Sequence, residues 1–218
     1  MNKILSFECG PVATNCYLVG NDATGVAVLI DAPKDCLLPV TKALEEHSWT
    51  LTDILLTHTH WDHTADCYDL QKCCGARVFV HELDVYRLKD PMAFTTIMSL
   101  SFEIPPVHDF IPVGGPSGSL VIGNGNHTIE WVHTPGHTEG GICFLDRPRG
   151  VAFVGDTLFA GSIGRTDLPG GDMDTLCASI RDVLFPLDGE TIALPGHGPS
   201  TTIEFERLHN PFVGDAAR

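Results

Sequence analysis

Thr57-His58-Thr59-His60-Trp61-Asp62-His63 decides how this chain is read. Three histidines and one carboxylate fall within six residues, after an apolar run that predicts a strand over 53–57 and before a pattern that predicts a helix over 63–74. Neutral imidazole nitrogens and carboxylate oxygens are the donors that borderline metals such as Zn²⁺ prefer. An alternating His-x-His in an extended backbone sends both rings to one side. Asp62 and His63, at a helix start, can face the same cavity from another direction. Two ligand sets at such short spacing suit two adjacent metals better than one.

Three further apolar runs end in a metal-type residue. Residues 128–133 lead into Thr134-Pro135-Gly136-His137, residues 151–155 into Asp156, and residues 191–194 into Pro195-Gly196-His197-Gly198. In α/β folds ligands gather beyond the carboxyl ends of strands. The glycine before each of His137, Asp156 and His197 permits the sharp turn that aims a side chain inward. The remaining histidines, His47, His81, His108, His127, His133 and His209, have no such context and read as ordinary surface or core groups.

Working outward, β-branched and aromatic runs bounded by Gly, Pro, Asn or Asp also predict strands over 3–9, 15–20, 26–31, 76–80, 119–122 and 141–145. Helices are expected over 37–47, with Pro39 tolerable in the first turn, and over 172–185, with Asp172 as N-cap. Gly75 sits where a C′ glycine would end the 63–74 helix. Mixed strands and helices throughout point to an α/β sandwich. A chain of 218 residues suits a single domain over 1–218. Residues 89–118, with Phe94, Phe102, Phe110 and Pro105-Pro106, read as a long apolar loop, either a lid or a self-packed excursion.

Thirteen Lys plus Arg against 28 Asp plus Glu give a net charge of −15, so a phosphate backbone is not an expected partner. An anionic substrate would need local positive charge, which bound metals would supply. No apolar stretch has the length to span a bilayer, and Glu8 and Gly10-Pro11 interrupt the first apolar segment, which reads as a strand rather than a signal peptide. A cytoplasmic protein is expected. Eight cysteines without a Cys-x-x-Cys pair read as reduced, buried, inert thiols. A homodimer is the expectation from how common two-fold assemblies are.

The His-x-His-x-Asp-His run at 58–63, with His137, Asp156 and His197 behind it, resembles the metallo-β-lactamase superfamily over nearly the whole chain. The resemblance implies an αβ/βα four-layer sandwich, with two sheets face to face and helices outside. It implies that His58, His60 and His137 hold one metal, that Asp62, His63 and His197 hold the other, and that Asp156 bridges. Zn is the expected metal, although the same donors accept Fe or Mn. The stretch 155–167, from Gly155-Asp156-Thr157 to Gly164-Arg165-Thr166-Asp167, is similar to the glyoxalase II (hydroxyacylglutathione hydrolase) and persulfide dioxygenase branch. The ending Leu194-Pro195-Gly196-His197-Gly198-Pro199 is similar to the short glyoxalase II-like proteins. Longer glyoxalase II enzymes carry a C-terminal helical domain whose basic residues bind glutathione, whereas this chain ends about twenty residues after His197.

The implied activity is hydrolysis of a small-molecule thioester such as S-lactoylglutathione, with His58, His60 and Asp62 in the catalytic machinery. Two other readings remain open: a mononuclear Fe(II) persulfide dioxygenase using His58, His137 and Asp156, and a lactonase or other esterase. Asp31, Thr57 and Thr138 are candidates to orient the ligands. Arg165 could bind a substrate carboxylate or pair with an internal one, and Phe159 and Trp61 could line the pocket or simply pack.

Overall fold

The structure is a computed structural model that describes every residue except Met1, 96–99, Asn126 and Arg218. The part of the 89–118 stretch at 96–99 therefore lies outside the described residues. The chain divides into two compact units, one formed by Met1–Val113 with Val121–His127, the other by Gly114–Leu120 with Thr128–Arg218.

The first unit opens with β1 (Asn2–Cys9), β2 (Thr14–Asn21) and β3 (Val26–Ile30), an antiparallel meander. It continues through α1 (Leu37–His47), β4 (Thr50–Leu55), α2 (Trp61–Thr64), α3 (Cys67–Cys74), β5 (Arg77–His81), α4 (Val85–Lys89) and β6 (Ile111–Val113). The sheet order is β1-β2-β3-β4-β5-β6, and β3 to β6 run parallel. Parallel neighbours need crossover connections, which the intervening helices supply. Val40, Ala43 and Leu44 of α1 and Leu70 of α3 form one buried cluster with Leu29, Ile54 and Val78 of the strands. At ~25 cal/mol per Å² of apolar surface removed from water, such burial is what holds a helix to a sheet.

The second unit contains β7 (Ser117–Ile122), β8 (His127–His133), β9 (Ile142–Asp146), β10 (Val151–Gly155), the short hairpin β11 (Leu158–Phe159) and β12 (Ser162–Ile163), α5 (Met173–Ser179), β13 (Ile192–Pro195), β14 (Thr201–Thr202) and α6 (Ile203–His209). Its main sheet runs β14-β13-β10-β9-β8-β7, with β10 and β13 parallel. Leu176, Ile180 and Leu184 pack with Ile203 of α6 on Cys143, Val154 and Ala193 of this sheet.

The helix expected over 37–47 is found as such, while two others differ instructively. The 63–74 helix is two pieces, because Asp66 leaves helical geometry to accept hydrogen bonds from the Leu37 amide (3.1 Å) and the Lys34 ammonium (3.2 Å). The first piece starts at Trp61, which places both Asp62 and His63 in a helix's first turn. The 172–185 helix widens into a π turn over Ile180–Leu184. The expected loop 89–118 holds a 3-10 turn at Pro91–Phe94 and strand β6, and β7 begins within it. All eight cysteines are free, but they are not all buried: Cys73 is exposed, and Cys74 and Cys177 are half-buried, because a helix end turns part of its surface to solvent. Among the described residues no helix is long and apolar enough to cross a membrane.

Asp172 caps α5 as the sequence predicts, accepting from the Thr175 amide at 2.8 Å. The hydrogen bonds from Thr175 hold its carboxyl below the usual carboxylate range. Asp172→Ala is expected to destabilise the fold through loss of the cap, read as a lower urea midpoint with an unchanged slope.

Candidate metal centre

In the first unit the ligand-type residues follow β4. The main chain leaves the sheet after the Leu56 amide donates to the Phe79 carbonyl (3.0 Å), and the next residues are Thr57 to His63. The His58 and His60 rings meet edge to face with centroids 4.9 Å apart, and the His58 and His63 rings lie 4.1 Å apart. Alternation has brought the rings together as expected. His58 and His63 are buried, and Asp62 and His60 partly so.

Asp31, at the end of β3, fixes this cluster. Its carboxylate accepts from the Thr57 amide (2.8 Å), the Thr57 hydroxyl (2.8 Å) and His63 Nδ1 (2.9 Å). A carboxylate can only accept, so Nδ1 of neutral His63 carries the proton and Nε2 the lone pair. The same logic reaches His58. Thr57 Oγ1 spends its proton on Asp31, so at 3.2 Å it accepts from His58 Nδ1, and His58 also presents Nε2. Asp31 adopts φ 58°, a left-handed conformation that Asp tolerates better than most residues. Thr14, the first residue of β2, donates to Asp62 Oδ2 at 3.2 Å.

In the second unit His137, Asp156 and His197 follow β8, β10 and β13. His137 Nδ1 donates to the Arg165 carbonyl at 2.7 Å, which again leaves Nε2 as the donor to a metal. The Gly196 amide donates to the Gly155 carbonyl (2.9 Å) and so ties the turn before His197 to the turn before Asp156. Gly164 is required here: a Cβ would collide with the Asp156 carbonyl and crowd His137 Nδ1. Asp156 Oδ2 lies 3.5 Å from His137 Nε2 and 3.5 Å from His197 Nε2.

These separations test whether the residues fit metal ions. At 3.5 Å a nitrogen and a carboxylate oxygen are too far apart for a good hydrogen bond. Two donors on one tetrahedral metal, each about 2.1 Å from it, are about 3.4 Å apart. The two Asp156 separations match, as does the 3.6 Å between His63 Nε2 and Asp62 Oδ2 in the first unit. The residues fit. His58, His60, Asp62 and His63 in one unit and His137, Asp156 and His197 in the other are the metal-type donors grouped among the described residues.

Other candidates resolve differently. Arg165 spans both oxygens of Asp167 (2.7 and 2.8 Å), an exposed internal pair, while its main chain holds His137. The Phe159 ring meets His197 edge-on at 6.1 Å. Trp61 lies 6.0 Å from Phe102. Thr138 is buried, and its carbonyl accepts from the Gly136 amide (3.0 Å), a turn role. His47 stacks on Trp49, His133 contacts the Glu139 carbonyl and His209 the Phe205 carbonyl, all ordinary roles.

Asp84 carries no mark in the sequence that singles it out. It is fully buried and pairs with buried Arg87 (3.0 Å), and its carboxylate and carbonyl accept from the Thr59 amide and hydroxyl (3.1 and 2.9 Å). It thereby pins the residue between His58 and His60. Its one sequence signal is the i, i+3 spacing to Arg87, which is indistinguishable from a surface pair.

The metallo-β-lactamase superfamily matches this chain over residues 9–197. The hydroxyacylglutathione hydrolase GloC of Haemophilus influenzae is 35% identical over 216 residues, covering 96% of this chain and 98% of that protein. Two crystal structures superpose closely. A B3 metallo-β-lactamase, BLEG-1, has a TM-score of 0.89 at 35% identity, covering 97% of this chain and 99% of that one. TTHA1623, in a di-iron-bound form, has a TM-score of 0.83 at 32% identity, covering 95% and 99%. Two sheets flanked by helices are thus the metallo-β-lactamase fold.

Asp31→Asn keeps the size of the side chain but sets an amide against His63 Nδ1–H. The variant is expected to bind metal about 10- to 100-fold more weakly, as read by chelator competition. The Arg165 guanidinium holds the Asp167 carboxyl down at about 2. Depression means that this pair favours the fold above the ordinary carboxylate range, and that the contribution is lost as pH falls through about 2. In Arg165→Ala the Asp167 pKa should return toward 3.8, followed by carboxyl NMR titration.

Proposed function

Because the chain belongs to the metallo-β-lactamase superfamily, we propose that its two histidine–carboxylate clusters together hold two divalent metal ions and hydrolyse acyl thioesters of the glyoxalase II type. Family and donor set make the general class a metallo-hydrolase. In this reading His58, His60 and His137 hold one metal, Asp62, His63 and His197 the other, and Asp156 serves both. The observation that carries it is Asp156 Oδ2, equally spaced at 3.5 Å from His137 Nε2 and His197 Nε2, as one oxygen shared between ligand sets would be. Zinc is the proposed metal on donor chemistry, with iron the first alternative since the related TTHA1623 binds two irons.

Bound metals supply a water acidic enough to be hydroxide near neutral pH and a positive charge for the developing oxyanion. The protein's own residues do the rest. Asp31 and the Arg165 carbonyl fix which nitrogen each of His63 and His137 presents. Asp62, held by the Thr14 hydroxyl, would orient the proton of a nucleophilic water through its carboxylate. Phe159, beside His197, is proposed to contact the acyl group. Arg165 is not assigned to substrate, because its guanidinium is already engaged by Asp167.

The choice of a thioester rests on GloC, which is similar across nearly the full chain, and on leaving-group chemistry. A thiolate departs without strong protonation, and this reading needs no separate general acid.

Metal-replete protein is expected to hydrolyse S-D-lactoylglutathione. His58→Ala should lose more than about a hundredfold in kcat/KM, beyond the usual effect of an outer partner. Stripping the metals should abolish turnover, and returning zinc should restore it. Intact thioester in the presence of protein shown to hold two metals would sink the assignment and leave lactone hydrolysis and persulfide oxidation as the reactions to assay.

A further inference from the structure

Sulfur outside the ligand set is unevenly distributed. Cys9, Cys16, Cys36, Cys67 and Cys143 are buried, and burial pushes the Cys67 thiol up to about 12 and the Cys143 thiol to about 11. Such thiols are shielded from reagents and mostly protonated. The last turn of α3 is different. Cys73 and Cys74 are adjacent there, Cys73 exposed and Cys74 half-buried at the rim of the first unit's core. Gly75 ends the helix with φ 68°, its amide donating to the Gln71 carbonyl at 2.8 Å. The two cysteines are consecutive, so a single peptide unit separates the residues that carry the thiols.

We propose that Cys73 and Cys74 form a vicinal dithiol site for a soft, thiophilic trivalent arsenic centre. Softness of donor and acceptor favours the match. Once one thiol is bound, the other is tethered beside the arsenic by a single peptide unit, so the second bond forms at high effective concentration. A direct disulfide is the poorer outcome. Successive side chains on a helix diverge by about 100°, whereas a disulfide needs Cβ atoms about 3.5–4.5 Å apart. An arsenic atom between the sulfurs lengthens the link and relaxes that demand.

Burial pushes the Cys74 thiol up to about 11, which keeps it protonated and slow toward oxidants at neutral pH. Condensation with an arsenic(III) oxide uses those protons. Two As–S bonds form, two S–H bonds and the As–O bond break, and the oxide oxygen leaves as water with both thiol protons. Arsenic stays trivalent and no electrons are transferred.

Phenylarsine oxide is the probe, added to the folded, metal-replete protein and read by native mass spectrometry. One adduct per chain is expected, retained in excess 2-mercaptoethanol and removed by 2,3-dimercaptopropanol. Cys73→Ser and Cys74→Ser should each lower retention in the monothiol by at least about tenfold. Cys177→Ser, which removes the other half-buried thiol, should leave it unchanged. Circular dichroism checks that each variant is folded. An adduct that the monothiol strips from the wild type, or that survives in both serine variants at positions 73 and 74, would overturn the proposal.

Discussion

A buried carboxylate at the end of β3 is the constraint on which the first unit's ligand cluster depends. Asp31 is 2% exposed, and a charge so placed is tolerated only when its lone pairs are satisfied. It takes the Thr57 amide, the Thr57 hydroxyl and His63 Nδ1, and through Thr57 it also sets the proton on His58. One side chain thus turns the main chain out of the sheet and chooses the nitrogen that two imidazoles present. A hydroxyl or amide in its place would offer a donor where only acceptors serve.

The second unit solves the same problem with main-chain atoms. His137 is oriented by the Arg165 carbonyl, and that carbonyl is placed by a loop which folds tightly against Asp156 because Gly164 has no Cβ. Glu206 of α6 braces the neighbouring hairpin. Fully buried, it accepts from the Gly161 amide (3.0 Å), the Thr201 hydroxyl (2.6 Å) and the Asn210 amide (2.8 Å). The last helix is therefore joined to the β11–β12 hairpin that carries Phe159, which links a distant stretch of sequence to the residue beside His197.

Much of the candidate site is legible in residue order. The 58–63 run is contiguous, so its donors are neighbours by covalent necessity, and His137, Asp156 and His197 each stand where an apolar run ends at a glycine turn. The outer partners are harder to read. Asp31 stands out as an acid closing an apolar strand. Asp84 does not, because its partner Thr59 lies 25 residues away and nothing local distinguishes a buried Asp from a solvated one. Glu206 looks like a helix-surface charge yet has no exposure at all. Asp66 interrupts the expected 63–74 helix for a tertiary reason, since Leu37 and Lys34 claim its oxygens.

Donor chemistry, strand-end placement and helix periodicity are local properties, so residue order alone established a metal-binding α/β protein and its ligands-in-waiting. Tautomers, the pairing of Arg165 with Asp167 and the exposure of Cys73 were decided by folding. The tautomers depend on which distant group ends within about 3 Å, the Arg165–Asp167 pair on how the folded loop orients two near neighbours, and the exposure of Cys73 on what packs over its helix end.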